Sequence, residues 1–185
     1  MTSIPLIYLG NPILRQKSTP VPKSRLQSIA FQKFLDKLAK TCLKNKGVGI
    51  AAPQVGKNIR VIVVHVDPSN PRYLGKKYFP LTIVINPKVI EHSDETKEDW
   101  EGDLSVDLRG LVPRPVTCVV NGFDREGKEV TFNLKNDFHA RVFQHEIDHL
   151  DGVMFLDKVR KKDSFCTYAM WKKYWKDKKI GRLSL

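Results

Sequence analysis

No stretch of this chain approaches the ~20 consecutive apolar residues that a membrane-spanning helix needs, which excludes a channel or transporter built on helical spans. Cysteine is scarce, with three in 185 residues and no motif spacing. That excludes a disulfide scaffold and fits a reducing compartment. The opening Met1-Thr2-Ser3-Ile4-Pro5-Leu6 lacks the basic-then-apolar order of a secretory signal, and it is no convincing transit peptide. The expectation is therefore a cytoplasmic protein, with an organellar location left open. Internal repeats and low-complexity segments are missing too, so a solenoid is not expected. Acidic residues are in the minority, 20 against 32 lysines and arginines, for a net charge of +12.

What is present suits one globular domain. Hydrophobic residues make up 41% and aromatics 9%, enough for a core. Much of the charge excess lies after Lys158, in Arg160, Lys161, Lys162, Lys172, Lys173, Lys176, Lys178, Lys179 and Arg182, opposed only by Asp163 and Asp177. A surface this basic is drawn to polyanions. The expected organisation is a domain over residues 1–157 followed by a basic helical tail over 158–185.

Pro5, Pro12, Pro20 and Pro22 keep the first segment extended. Ser24 and Gln27 suit a capping box, and Phe31, Phe34, Leu35, Leu38 and Cys42 recur at helical spacing, so a helix is expected from about Arg25 to Lys44. The β-branched run from Arg60 to Val66 reads as a strand, as does Leu81 to Ile85, stopped by Asn86-Pro87. Two further runs, Val116 to Val120 and Glu129 to Leu134, flank a turn at Asp124-Arg125-Glu126-Gly127. A second helix is expected from about Asp137 to Leu150, with Gly152 just past its end, and Val153 to Leu156 could add a strand. Phe165, Tyr168, Trp171 and Trp175 among the lysines suggest a C-terminal amphipathic helix. Strands with helices inserted point to an α+β fold: mixed or antiparallel sheets packed around a central metal-binding helix.

The second helix contains His145-Glu146-Ile147-Asp148-His149. Residues four apart share a helix face, so both histidines can reach one metal ion, with the Glu146 carboxylate beside them to accept a proton from water. A tight site needs a third protein ligand. His65, His92, His139, Asp103, Glu101 and the cysteines are candidates, and spacing does not choose among them. Gly47-Val48-Gly49-Ile50-Ala51-Ala52-Pro53-Gln54-Val55-Gly56 is rich in small residues that permit close backbone approach. By itself it reads as a helix-to-strand turn, and it lacks the Lys-Ser/Thr pair of a phosphate loop. Trp100 to Val106, taken alone, is a polar turn entering a strand.

Together the three segments resemble the peptide deformylase family. Its first motif, G-x-G-x-A-A-x-Q-x-G, is matched from Gly47 to Gly56. Its third, Q-H-E-x-D-H, is matched by Gln144 to His149. Its second, E-G-C-L-S, reads Glu101-Gly102-Asp103-Leu104-Ser105 here. Asn86-Pro87, Leu111-Val112-Pro113-Arg114 and Leu150-Asp151-Gly152 are smaller echoes. The resemblance implies removal of the formyl group from the formyl-methionine of nascent polypeptides, with one divalent metal ion, Fe(II) or Zn(II). It implies His145 and His149 as ligands, and Asp103 where the family has cysteine. Two histidines and a carboxylate are a competent triad for either metal. It further implies Glu146 as general acid/base, and Gln54 with the backbone N–H of Leu104 as oxyanion donors. Val48, Gly49, Arg109, Arg141 and Val142 would lie along the substrate, Arg141 resembling the organellar-type branch. After the second motif the chain reads Ser105-Val106-Asp107-Leu108-Arg109, one residue shorter than the family's usual loop and without its proline, which would shift one wall of the substrate cleft.

Other readings stand beside this one. A homologue with impaired or altered activity is one, because exchanging thiolate for carboxylate moves the metal slightly. A zincin-type peptidase follows from H-E-x-x-H alone, but leaves Gly47 to Gly56 unexplained. A non-catalytic ribosome-binding protein follows from the basic tail.

Overall fold

The computed structural model describes residues 2–176; the last lysines of the tail, Lys178 and Lys179, and Arg182 lie outside them. Five helices and seven strands follow one another as α1 (Lys23–Leu26), α2 (Ile29–Lys44), β1 (Gly49–Ala51), β2 (Val61–Val66), β3 (Phe79–His92), β4 (Thr96–Asp103), β5 (Val106–Pro115), β6 (Cys118–Phe123), β7 (Glu129–Leu134), α3 (Asp137–Leu150), α4 (Phe155–Lys158) and α5 (Tyr168–Tyr174). Strands β1-β2-β3-β6-β7 form one antiparallel sheet in that order, and β4 with β5 forms a separate hairpin. This is the expected α+β architecture.

The sheet lies between two helices. Val61, Val63 and Ile85 pack with Leu35, Leu38 and Cys42 of α2. Ile62, Val64, Val84 and Val120 face the other way and pack with Ala140, Phe143 and Ile147 of α3. Burial on both faces explains why β2 is a continuous β-branched run and not an alternating one. The hairpin then covers the far side of α3, which touches β1, β2 and β5. Eleven of the fourteen residues of α3 are buried, its polar ones included. A helix enclosed all round can hold polar groups only if they find partners or a ligand.

Several local expectations are corrected. The helix cap is Ser28, whose side chain accepts from Phe31 N, and not Ser24 with Gln27, so α2 starts at Ile29 after the separate turn α1. Val153 to Leu156 forms no strand; Phe155–Lys158 is a short helix capped by Asp157, whose Oδ2 accepts from Met154 N at 2.8 Å. Asn86-Pro87 does not stop a strand. Instead β3 runs on to His92 through irregularities between Ile85 and Lys88 and between Val89 and Glu91. At that point Asn86 adopts φ +52°. Its side chain pairs with the backbone of Val21 on both sides, accepting from N at 2.8 Å and donating to O at 2.9 Å. The amide thus acts as a short strand partner for the N-terminal segment. The β4–β5 hairpin was not foreseen, because its inner residues are charged. The tail helix α5 spans seven residues, with Trp171 buried beneath Lys172 and Lys173.

Asn86→Ala removes both hydrogen bonds and leaves an alanine in left-handed backbone. It is expected to destabilise the protein by about 2–3 kcal/mol, read from denaturant unfolding. A loss under ~0.5 kcal/mol, the range of an ordinary surface change, contradicts this account.

Candidate metal centre

The site is assembled by three chain segments around α3. The N-terminal segment ties two of them together: Ile7 N donates to Gln54 O and Leu9 N to Ser105 O, both at 2.9 Å. In the hairpin the register shifts between Gly102 and Asp103. Such a bulge re-aims a side chain, and here the Asp103 carboxylate points at α3.

The two imidazoles meet it there. His149 Nε2 is 3.0 Å and His145 Nε2 3.9 Å from Asp103 Oδ2. Ligand atoms of Asp103, His145 and His149 all lie within 4.8 Å of one another. Asp103 Oδ1 is satisfied, accepting from Gln54 Nε2 and from Ser105 N, each at 2.7 Å. Its Oδ2 meets His149 Nε2 only in the 3.0 Å ion pair, without an aligned hydrogen bond for either atom. Buried polar atoms are seldom left unpaired, and a carboxylate with two imidazoles is a divalent-cation donor set. The residues therefore fit the metal.

Electrostatics agree. Burial alone would push the Asp103 carboxyl up, but the close contact and charge of His149, the charge of His145 and the Ser105 N–H hold it at about 2. Burial pulls His145 down, yet the hydrogen bond and charge of Glu101, with Glu146 and Asp103 beyond, carry it up to about 9. A field that holds a proton on an imidazole also holds a cation on it. Glu146 is the opposite case. Burial dominates over the imidazoles and, with the charges of Asp103 and Glu101, lifts its carboxyl to about 7, poised to exchange a proton near neutrality. Its Oε2 is buried without a partner.

Gly49 explains its own place in the first motif. A Cβ there would stand 2.3 Å from Glu146 Oε1, so only glycine lets β1 pass the carboxylate. Gln54 is fixed by Ala51 N, which donates to its Oε1 at 2.8 Å.

Among the open third-ligand candidates, the structure brings only Asp103 to the two histidines. His139 Nε2 pairs with Lys77 O at 2.8 Å, His65 Nδ1 with Phe79 O at 3.2 Å, and His92 Nδ1 with Ser93 O at 3.1 Å. Cys42 is fully buried, its thiol pushed up by burial and by the charge of Glu146. Glu101 stands behind the ligands. Its Oε2 faces His145 Nδ1 at 2.9 Å, which leaves Nε2 free for a cation. Two buried arginines hold Glu101 in turn: Arg114 through Nε at 2.8 Å and Nη2 at 2.9 Å, and Arg141 through Nη1 at 2.7 Å. Burial opposes its charge, but Arg114 and His145 keep its carboxyl well below the usual range. This positioning role was missed in the sequence, although the acid's place beside Asp103 and the Leu111 to Arg114 echo were both visible.

Val48, Gly49, Gln54, Leu104, Arg109, Arg141, Val142 and Glu146 line one cleft with Asp103 and His145. Arg141 does so with its guanidinium already engaged by Glu101, Val112 O at 2.8 Å and Lys97 O at 2.5 Å.

Glu101→Gln keeps the shape behind His145 and removes the charge. It should lower zinc affinity by about 10–100-fold in competition with a chelator; unchanged affinity contradicts the positioning role.

Comparison with known proteins gives one answer. A model of the family described as polypeptide deformylase matches residues 4–165. Peptide deformylase 2 of Nostoc sp. is 47% identical over 157 residues, 84% of this chain and 86% of that protein. A chloroplastic/mitochondrial peptide deformylase 1A of Arabidopsis thaliana is 36% identical over 163 residues, 83% of this chain and 60% of that one. Among solved structures, a Met-Ala-Ser-bound class I type b peptide deformylase from Acinetobacter baumannii superposes with a TM-score of 0.81 at 37% identity, covering 85% of this chain and 98% of that one. The matched segment covers most of the chain and the fold agrees with these relatives, and the chain belongs to the polypeptide deformylase family.

Proposed function

We propose that this protein is a metallohydrolase that removes the N-formyl group from the formyl-methionine of nascent polypeptides. Asp103, His145 and His149 hold its single divalent metal ion, Fe(II) or Zn(II). The observation that carries this reading is the buried convergence of Asp103, His145 and His149, ligand atoms within 4.8 Å of one another, beside a carboxylate of raised pKa.

A divalent cation bound there supplies Lewis acidity, which makes water nucleophilic at neutral pH. The chain's own residues do the rest. Glu146 accepts the proton of the attacking water and returns it to the departing amine, a use suited to a carboxyl near 7. The Gln54 amide has two N–H groups, and one is spent on Asp103. The second, with the backbone N–H of Leu104, meets the oxygen of the formyl group as it gains charge. Gly49 offers its backbone to the peptide. Val48 and Val142, both buried, line an apolar wall for the methionine side chain. Arg141 acts from behind the centre, holding Glu101 against His145.

The zincin alternative gains nothing from the first motif, whereas Gly49 and Gln54 both have work here. No helix of the described residues is long and apolar enough to cross a membrane. We place the enzyme in the cytoplasm and treat 1–157 as its catalytic unit. The tail from 158 is a basic surface for the ribosome, supported by the exposed Arg160, Lys161, Lys162, Lys172 and Lys173. Replacing those five by glutamine should weaken ribosome binding and flatten its salt dependence; equal binding across salt contradicts the docking role.

The catalytic reading is tested on formyl-Met-Ala beside unblocked Met-Ala-Ser. The metal-loaded protein should release formate from the first and leave the second intact, and Glu146→Gln should lower kcat by at least ~100-fold with metal content retained. Asp103→Cys should change kcat/KM by less than about tenfold. A gain of ~100-fold or more, the size expected of a corrected misplacement, would favour the impaired-homologue alternative.

A further inference from the structure

Beyond the metal, the cleft runs out to two arginines and an aromatic ring from the tail. Arg109 is only 3% exposed, and its Nε and Nη2 are buried without a hydrogen-bond acceptor. Its guanidinium lies against the stacked pair Trp171, 4.3 Å from the ring centroid, and Tyr168, at 5.1 Å. Arg72 approaches the same Tyr168 ring at 5.3 Å, and its Nε is likewise buried and unpartnered. Among the described residues, neither guanidinium has a carboxylate within ion-pair distance.

The chain builds this arrangement deliberately at two points. The short turn after Asp103 brings Arg109 opposite Gly102 in the hairpin. A Cβ on Gly102 would stand 3.1–3.2 Å from carbons of the Arg109 side chain, so the arginine lies flat over that glycine, next to the metal ligand. Then the tail returns. Cys166 pairs with Arg109 through both backbone hydrogen bonds, at 2.7 and 3.1 Å, which delivers Tyr168 and Trp171 onto the guanidinium. A groove of about 410 Å³ passes from Asp103 and Leu104 to Arg72, Arg109 and Tyr168.

Two guanidinium ions sharing one ring repel each other, and although Arg72 Nη1 donates to Asn45 O at 3.4 Å, Arg72 Nε and Arg109 Nε and Nη2 have lost water without gaining an acceptor. Stacking on aromatic faces returns part of that cost. An anion between them would return the rest, and it would be met by planar donors suited to a carboxylate. The anions a formylated peptide can carry into this groove, a few residues beyond the reacting formyl group, are a side-chain carboxylate or its own C-terminus.

We propose that Arg72 and Arg109, aligned by Tyr168 and Trp171, form a carboxylate subsite that makes the enzyme favour substrates with an anionic group within a few residues of the formyl-methionine. This rests on the deformylase reading and adds a substrate preference to it. The subsite draws on residues 166–171, outside the segment that matches the family.

The test compares three peptides on the zinc-loaded full-length protein: formyl-Met-Ala-Ser with a free C-terminus, its C-terminal amide, and formyl-Met-Ala-Asp amide. The free acid should show a KM about tenfold below that of the neutral amide, with kcat similar. Recovery of the low KM by the aspartate amide assigns the preference to side chains; its failure, with the free acid still favoured, assigns it to a C-terminus. Arg72→Gln and Arg109→Lys should each reduce the acid-to-amide ratio by at least threefold. Arg72 lies in a half-buried loop, so that variant stays informative if a change at Arg109 impairs folding. Quenching of tryptophan fluorescence by the unformylated Met-Ala-Ser and its amide reads the same preference without turnover. A preference in binding with no formate release sinks the deformylase reading and leaves the subsite. Formate release with equal KM for acid and neutral amide overturns the subsite, as does a preference that survives both substitutions.

Discussion

A carboxylate and two imidazoles buried against one another cost free energy unless a cation, proton or metal, is shared among them. Asp103, His145 and His149 are in that position. Much of the surrounding structure can be understood as keeping them there. The bulge at Asp103 turns its carboxylate inward, and Gln54 and Ser105 N hold one oxygen so that the other faces the histidines. Behind His145, Glu101 is clamped by Arg114 and Arg141, and Arg114 is clamped again by Asp148 at 2.5 Å. Removing one member of a buried ion network typically costs 3–5 kcal/mol, because it strands the others. The network is therefore a rigid back wall more than a net source of stability.

Exchanging thiolate for carboxylate keeps the negative charge and changes the reach. Carboxylate–zinc bonds are about 2.0–2.2 Å long against ~2.3 Å for sulfur, while the aspartate arm is one atom longer. In the turn that follows, Arg109 pairs with Gly102 and lies over it, beside Asp103. One segment thus places both the carboxylate of the proposed metal centre and Arg109 in the adjoining groove. With aspartate as the proposed ligand, the centre holds no thiol open to oxidation.

The limits of α3 were legible because its apolar residues keep helical period and Gly152 follows its end; the cap at its start, Asn136 Oδ1 accepting from His139 N, emerges only in the structure. Strand β2 was legible because burial on both faces selects β-branched residues. Asn86-Pro87 misled because a proline after a strand usually ends it. Here the asparagine side chain supplies the pairing that the backbone lacks, a long-range contact to Val21 that no local pattern carries. The β4–β5 hairpin hid for a related reason: Glu101, Arg109 and Arg114 are polar residues whose burial is paid for by each other and by the tail's rings. Family motifs identified Asp103, yet nothing local marked Glu101 as the residue that orients His145.

The most direct check on the centre is X-ray absorption at the zinc edge of protein loaded with one equivalent of zinc. The account predicts a first shell of nitrogen and oxygen scatterers only, at about 2.0–2.2 Å, with two imidazole contributions. A sulfur scatterer near ~2.3 Å, or protein that takes up no stoichiometric metal, would contradict it.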